Sequence, residues 1–321
     1  MTKIWDCIVV GGGAAGLSAG LVLGRARRST LLIDAGEQSN LAAHGIGGLL
    51  GHDGRPPAEL YEIGRGELAL YGVQVRTGEV SEIERGDGEF TVQLADGTRE
   101  RSRRILLATG LAYLPPPLPG LEGLWGRSVF HCPFCHGWEV ADQPLAVLAR
   151  GDRAVHLALL LRSWSEDIVV LTDGPADLDD AGRNRLAGAG IRIDERPVAA
   201  LESANGELSA VRFSDGSRLS RRGLLVATTM RRRDRLAEHL GLELAGPGPV
   251  AEDPVSVDPL CRTSIPGVFA AGDLTAEMPQ VATAIAAGSR AGAAVVQSLA
   301  AEDYGLPLPP RIETSEGSLS R

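Results

Sequence analysis

Two cysteines separated by two residues are the side chains in this sequence best suited to chemistry. Cys132 and Cys135 lie in the segment 131–138, which reads HCPFCHGW. At the start of a predicted helix, two cysteines at this spacing can close a disulfide, and the helix amino terminus lowers the pKa of the first thiol. The pair therefore predicts a redox-active disulfide.

Zinc binding is the main alternative for a Cys-x-x-Cys pair. Structural zinc sites usually need a second pair of ligands. Cys7 and Cys261 stand apart, in or beside apolar segments, and are better explained as packed residues. His131 and His136 crowd the loop of the first pair instead of forming a distant pair, so no metal is expected.

His136 directly follows the second cysteine and is the candidate acid or base. Histidine titrates near neutrality and can take a proton from an incoming thiol, which suits electron flow from a dithiol toward a cofactor. The alternative is a side chain that only caps a helix or packs.

The elements that would position this chemistry begin with a glycine-rich turn. The apolar segment 4–10 predicts a strand, and Gly11-x-Gly13-x-x-Gly16 follows it, before a helix to about Arg27 and a strand at 30–34. In this dinucleotide fingerprint the first glycine turns the chain, the second admits the pyrophosphate and the third lets helix and strand meet. Asp34, at the end of the second strand, can accept hydrogen bonds from a ribose hydroxyl.

Further strands and a second strand–helix–strand unit follow. Strands are predicted at 77–80, 90–94, 105–108, 145–148, 168–171 and 268–271, with helices from about 154 to 164 and over 280–299. The repeated unit indicates an internal duplication. Residues from about 302 onward are expected to be poorly ordered.

Proline-rich and glycine-rich stretches mark the expected domain boundaries. The first is at 114–120 and the second is the Gly-Pro repeat at 246–249. We expect one domain formed by 1–114 and 245–321, and a second domain, 120–240, inserted into it.

Composition excludes several other classes of protein. The chain has 321 residues, of which 44% are hydrophobic, and a net charge of -9, which argues against nucleic-acid binding. Residues 1–10 lack the layout of a signal peptide, and no segment reaches the length of a membrane span. We therefore expect a cytoplasmic protein without nucleic-acid or membrane partners.

A resemblance to a known family rests on the segment 263–273, TSIPGVFAAGD. It resembles the second FAD signature of thioredoxin reductases. The resemblance implies an α/β fold of two Rossmann-like, three-layer ββα domains, the second inserted into the first. It also implies that Asp273 meets the ribityl chain of FAD and that the helix beginning at 280–282 points at the isoalloxazine.

The expected FAD-binding residues combine the fingerprint, the end of the second strand, the Ala-Thr-Gly turn, the second signature, the start of the helix after it and Val80. They are Gly11, Gly13, Ala14, Ala15, Gly16, Asp34, Ala35, Gly36, Gln38, Val80, Ala108, Thr109, Gly110, Gly272, Asp273, Gln280, Val281 and Ala282.

The second dinucleotide unit departs from the thioredoxin reductase pattern. Its loop, 149–154, reads ARGDRA and lacks the first glycine, and the stretch 171–180 carries four carboxylates that would repel the 2′-phosphate of NADPH. Binding of NADPH is therefore not expected, although Asp173 could hold the ribose of NADH. The basic run 231–233 is interpreted as a solvated surface segment.

These departures, together with the segment 132–139, CPFCHGWE, make the chain similar to the dithiol oxidases that close disulfides in gliotoxin and holomycin. The resemblance implies that a small dithiol attacks Cys132, that Cys135 faces the flavin, that O2 accepts the electrons and that the protein is a homodimer. The alternatives are an NAD(P)H-dependent thioredoxin or disulfide reductase and a non-enzymatic redox sensor.

Overall fold

The computed structural model describes residues 3–248, 250–275 and 278–312. The helices are α1 (Ala14–Arg25), α2 (Pro57–Leu70), α3 (Pro133–His136), α4 (Gly151–Leu161), α5 (Asp180–Gly188), α6 (Leu236–His239) and α7 (Val281–Tyr304). The strands are β1 (Ile4–Val10), β2 (Thr30–Asp34), β3 (Gln74–Thr77), β4 (Val80–Arg85), β5 (Phe90–Leu94), β6 (Arg99–Leu107), β7 (Leu111–Leu114), β8 (Val129–Phe130), β9 (Leu145–Leu148), β10 (Ile168–Leu171), β11 (Arg192–Asp194), β12 (Val198–Ala204), β13 (Glu207–Phe213), β14 (Arg218–Ser220), β15 (Gly223–Val226), β16 (Thr229–Arg232) and β17 (Val268–Ala270).

Two compact units divide the chain. The first contains the described residues of Met1–Ser39, Ala58–Tyr113 and Met230–Arg321, and the second contains Asn40–Pro57 and Leu114–Thr229. The domain limits expected from the sequence stay a prediction, and the units differ from them in two segments. Those segments are 40–57 and 230–240.

Local packing accounts for both differences. Segment 40–57 approaches the cysteine helix, because a Cβ built on Gly47 would lie 2.7 Å from the carbonyl oxygen of Cys135. In segment 230–240, Met230 and Leu236 are buried in a core of the first unit.

A largely parallel sheet organises the first unit. Its order is β3-β2-β1-β6-β5-β4, and β17 also pairs with β6. β3, β2, β1, β6 and β17 run parallel, whereas β4 and β5 form an antiparallel hairpin beside the amino-terminal half of β6. β7 and β16 form a separate two-stranded sheet.

The strands predicted at 4–10, 30–34 and 90–94 have those bounds. The single strand predicted at 77–80 is wrong, because Gly78 and Glu79 separate the end of β3 from the start of β4. The backbone N–H of Gly78 instead donates to the carbonyl of Asp34, 2.9 Å away.

Two helices of small residues, α1 and α7, pack closely on one face of this sheet. A Cβ on Gly288 would overlap the carbonyl oxygen of Ala15, so glycine is required where the helices cross. α7 also continues past its predicted end. Poor order from residue 302 is wrong for Glu302 and Asp303, which lie in the last turn of α7 and pair with Arg103 at 2.8 and 2.5 Å. Residues 313–321 of that predicted tail lie outside the described residues.

A five-stranded sheet organises the second unit. All its strands run parallel in the order β11-β10-β9-β15-β8. The strands predicted at 145–148 and 168–171 are confirmed as β9 and β10. One face packs against α4, and the other against the antiparallel sheet β12-β13-β14, which gives three layers.

The predicted functional residues lie in turns that follow the carboxyl ends of the parallel strands. Ligands of open α/β sheets bind outside these ends. In the first unit, the turns after β1, β2, β6 and β17 meet at this edge, and in the second unit the cysteine segment follows β8 while the loop 149–151 follows β9. Within the described part of the chain, none of the helices combines the length and hydrophobicity that crossing a membrane requires.

Candidate active site

The glycine fingerprint of the first unit forms a turn that excludes side chains. Gly11 has a φ of +105°, and a Cβ there would overlap the carbonyl oxygen of Ala108. A Cβ on Gly16 would overlap the carbonyl oxygen of Gly11. Gly13 is the N-cap of α1, and no side chain caps that helix end among the described residues. The first N–H groups of α1, from Ala14 and Ala15 onward, are therefore suited to a phosphate.

Asp34 ties the end of β2 to this turn. Its Oδ1 accepts hydrogen bonds from the backbone N–H groups of Gly12 and Gly36, each at 3.1 Å. The amide of Gln38 donates to both carboxylate oxygens, at 2.9 and 3.0 Å. These contacts hold the loop through Ala35 beside the fingerprint, where the carboxylate can also receive a ribose hydroxyl.

Two buried polar groups near the same edge have chemistry that fits FAD. The hydroxyl of Thr109, between Ala108 and Gly110, is buried and has no hydrogen-bond partner within the described residues. Burial raises the pKa of Asp273 to about 6. Buried polar groups are normally hydrogen-bonded, so both are suited to the hydroxyl groups of a ribityl chain.

The second FAD signature reaches the fingerprint through close contacts of small residues. A Cβ on Gly272 would lie 2.8 Å from that of Ala15. Gln280 is the N-cap of α7, and Val281 and Ala282 begin that helix. Val80 is buried in a core of the same unit, at the start of β4. The roles of these residues in binding FAD stay a prediction.

Arg232 and Arg233 contradict the interpretation of 231–233 as a solvated segment. The side chain of Arg232 is only 4% exposed and pairs with Asp253 at 2.9 Å. A buried fixed charge needs a partner of opposite charge, and the carboxylate of Asp253 supplies it. Arg233 donates to the hydroxyl of Ser39 at 2.8 Å and to the carbonyl of Leu111 at 3.3 Å. Sequence reasoning missed these contacts, because Asp253, Ser39 and Leu111 are all distant in the chain from the arginines that they bind.

Cys132 and Cys135 are joined by a disulfide directly after β8. Their Cα atoms are 5.4 Å apart, and both residues are half-buried. The predicted helix after Cys132 is a single turn, α3, so its dipole is smaller than a long helix would supply. Among the described residues no three His, Cys, Asp or Glu side chains converge on a metal-binding position.

Trp164 packs against the cysteine helix at two positions. Gly137 lies against Trp164, since a Cβ there would be 2.8 Å from the indole ring. The ring of Phe134 meets Trp164 edge to face, with centroids 5.6 Å apart, and remains 54% exposed. Trp138 is 81% exposed.

His136 favours the neutral imidazole and has one ring nitrogen, Nδ1, without a hydrogen bond of normal geometry in the described structure. Its Nε2 lies 3.0 Å from the carbonyl oxygen of Gly126, and a carbonyl only accepts, so Nε2 carries the proton. Nδ1 is buried and makes no hydrogen bond of normal geometry in the described part of the chain, although the main chain of Cys132 lies close enough to the ring to raise its pKa. Burial lowers the pKa of His136, which favours the neutral form. The ring also stacks on Phe130, so His136 both packs and offers a lone pair.

His131 differs from His136 in its surroundings. Its ring stacks on Trp125, with centroids 5.8 Å apart. Burial, with a smaller effect of the neighbouring His136, lowers the pKa of His131 to about 4. It is therefore neutral near pH 7.

Two arginine side chains of the second dinucleotide loop bind main-chain carbonyls that follow the neighbouring strands. The Nε of Arg150 donates to the carbonyl of Thr172 at 2.6 Å, and its Nη2 donates to the carbonyl of Asp173. The Oδ1 of Asp173 accepts from the backbone N–H of Val198 at 2.8 Å. Arg153 donates to the carbonyl of Thr228 at 2.5 Å. The sequence signalled the missing glycine but not these contacts.

Two dinucleotide-type folds, one with a complete fingerprint and one carrying a disulfide, define the class of flavin-dependent disulfide oxidoreductases. The chain matches the family described as pyridine nucleotide-disulphide oxidoreductase over residues 5–288, and it belongs to that family. It is therefore an oxidoreductase, and membership implies that it binds FAD.

Curated relatives carry a name consistent with this family. The chain is 31% identical over 319 residues to thioredoxin reductase tcpT of Claviceps purpurea (strain 20.1), an alignment that covers 95% of this chain and 97% of that protein. It is 32% identical over 314 residues to thioredoxin reductase sirT of Leptosphaeria maculans, covering 91% and 94%. The thioredoxin-reductase-like resemblance is thereby confirmed.

Solved structures confirm the predicted α/β fold. The crystal structure of HlmI has a TM-score of 0.89 and 37% identity, covering 95% of this chain and 96% of that one. The oxidoreductase from Agrobacterium tumefaciens has a TM-score of 0.87 and 34% identity, covering 93% and 99%.

Proposed function

We propose that this protein is an FAD-dependent oxidase that converts a small dithiol into a disulfide, with O2 as the electron acceptor. The observation that carries the proposal is a neutral base one residue beyond a disulfide. His136 keeps its proton on Nε2, and its Nδ1 makes no hydrogen bond of normal geometry in the described structure. A neutral imidazole is able to accept a thiol proton, which oxidation of a dithiol requires.

The thiol chemistry needs only the two cysteines and His136. A substrate thiol gives its proton to His136 and attacks Sγ of Cys132, so the disulfide breaks and Cys135 leaves as a thiolate. The second substrate thiol attacks the substrate sulfur of the mixed disulfide, and its proton ends on the Cys132 sulfur. The substrate leaves as a disulfide, having lost two electrons and two protons.

The first unit would hold the cofactor. FAD held there would supply the acceptor for the electron pair of the reduced cysteines and the means of passing it to O2, which would take up two protons and leave as hydrogen peroxide. We assign the pyrophosphate to the fingerprint turn at 11–16, the ribose to Asp34 and the ribityl hydroxyls to Thr109 and Asp273. Cys135 is the cysteine assigned to exchange with the flavin.

A nicotinamide cofactor is not part of the proposed reaction. Ala149 replaces the first glycine of the second fingerprint, and carboxylates follow β10. Asp173, the alternative ribose ligand, already accepts from the N–H of Val198. A cytoplasmic homodimer completes the proposal, the homodimer by resemblance alone.

Anaerobic absorbance of the purified protein tests this function. NADPH, NADH and a model dithiol are added separately, and air is then admitted. We expect only the dithiol to bleach the flavin, and air to restore the colour with release of hydrogen peroxide. Cys135→Ser is expected to abolish peroxide production, whereas Cys7→Ala, which removes a thiol buried in a core, serves as the matched control.

An NAD(P)H-dependent disulfide reductase is the second candidate. The names of the two fungal relatives favour it. Bleaching of the flavin by NADH or NADPH within seconds would establish a disulfide reductase and contradict the proposed oxidase.

A further inference from the structure

The carboxyl edge of the second sheet is the place where a Rossmann-like unit would receive a dinucleotide. The pyrophosphate belongs at the turn between β9 and α4, and the two nucleosides extend toward the neighbouring strands on either side. In this sheet those neighbours are β10 and β15. The side chains that leave the turn therefore decide whether the edge is open.

Arg150 covers the β10 side of this edge. Its guanidinium donates to the carbonyl oxygens of Thr172, at 2.6 Å, and Asp173. It also approaches Gly174, where a Cβ would lie 3.1 Å from Nη2. These contacts hold the long side chain against the strand end where an adenosine ribose would lie.

Arg153 covers the β15 side. Its Nη2 donates to the carbonyl of Thr228, 2.5 Å away, directly beyond the end of β15. Burial lowers the pKa of Arg153, so this guanidinium has given up part of its hydration to lie there. With Arg150, it spans β10, β9 and β15.

We propose that Arg150 and Arg153 are specificity-determining residues that close the dinucleotide cleft of the second unit from within. Nε and Nη2 of Arg150 and Nη2 of Arg153 are directed at main-chain carbonyls, so a pyrophosphate would have to displace these bonds before it reached the turn. The closure rests on the proposed oxidase function, because it keeps cellular nicotinamides from supplying electrons to a flavin that should receive them from a dithiol.

Reopening the cleft tests the closure. In Arg150→Gly/Arg153→Ser both side chains are shortened and the turn keeps Gly151. Binding of NADH and of NADPH to the flavin-loaded protein is measured by equilibrium dialysis. We expect the Kd for NADH to fall by about tenfold or more. NADPH should gain less, because the carboxylates after β10 repel its 2′-phosphate.

The control is Arg185→Ser/Arg222→Ser, which removes two exposed positive charges from the same unit. It should leave nicotinamide binding unchanged. The proposal is overturned if Arg150→Gly/Arg153→Ser binds NADH no more tightly than the wild type does. Dithiol-driven bleaching in the same preparations reports the proposed function separately, so failure of one does not imply failure of the other.

Discussion

At the scale of single residues, the proposed reaction takes its pH dependence from His136, the base assigned beside the disulfide. His136 acts as a base only when neutral, and burial lowers its pKa from the ordinary value of about 6.5. The reactive form therefore persists to lower pH than for a solvent-exposed histidine. We expect the rate of flavin bleaching by a dithiol to decline at a lower pH than it would with a solvent-exposed histidine as the base.

Replacement of the imidazole should remove this behaviour. His136→Gln keeps a polar side chain without a base, and we expect the bleaching rate at pH 7.5 to fall by about 100-fold or more. Stopped-flow absorbance measures both the rate and its pH profile. His156→Gln, on the exposed side of α4, is the control. An unchanged rate in His136→Gln would show that the histidine only packs against Phe130.

Residues with a local signature were predictable, and residues defined by distant contacts were not. Gly11 and Gly16 are dictated by a backbone turn that excludes any Cβ, and such a requirement is visible in the sequence. Arg150 already stands out in the sequence as a long side chain at the damaged turn, but the partners of Arg150 and Arg153 are found only once the carboxyl ends of β10 and β15 are placed beside them. The carbonyls that bind them have no sequence signal, because every residue has one.

At the scale of elements, a glycine in a helix can serve close packing between helices, or it can merely lower the stability of its own helix. Replacement by alanine distinguishes the two cases. Gly288→Ala in α7 would press a Cβ into the carbonyl of Ala15, and backbone at a helix crossing cannot move aside cheaply. We expect loss of about 1–3 kcal/mol in stability and a lower FAD content, since α1 carries the fingerprint.

Gly66→Ala is the matched control for this prediction. Gly66 is exposed in the middle of α2, and a Cβ there meets no atom of the described structure within 4 Å. Alanine should stabilise the helix by about 0.5–1 kcal/mol. Thermal unfolding measures the stability of both variants, and the flavin absorbance measures their FAD content. Similar effects of the two substitutions would contradict close packing of α1 and α7.

Element bounds followed the strength of the local pattern. The apolar strands β1, β2, β9 and β10 were predicted at their observed limits, because both faces of a parallel sheet are buried and the run of apolar residues is continuous. The end of α7 was missed. Its last turn is polar, and Glu302 and Asp303 are held by arginines that are remote in sequence.

At the scale of the whole molecule, each buried core lies within one unit. Two cores consist of first-unit residues only, and the other two consist of second-unit residues only. All the residues assigned to FAD belong to the first unit. The stabilisation that FAD supplies by binding the folded state should therefore be confined to that unit.

Hydrogen exchange on the flavin-loaded and flavin-free protein measures this confinement. Removing FAD should speed exchange in peptides from β1, α1 and the turn 108–110, because the fingerprint N–H groups, Thr109 and Asp273 lose the ligand assigned to them. Peptides from β9, β10 and α4 should exchange at unchanged rates, since their apolar contacts lie in separate cores. Equal acceleration in both units would mean that the two fold as one cooperative body, and unchanged exchange everywhere would place FAD elsewhere.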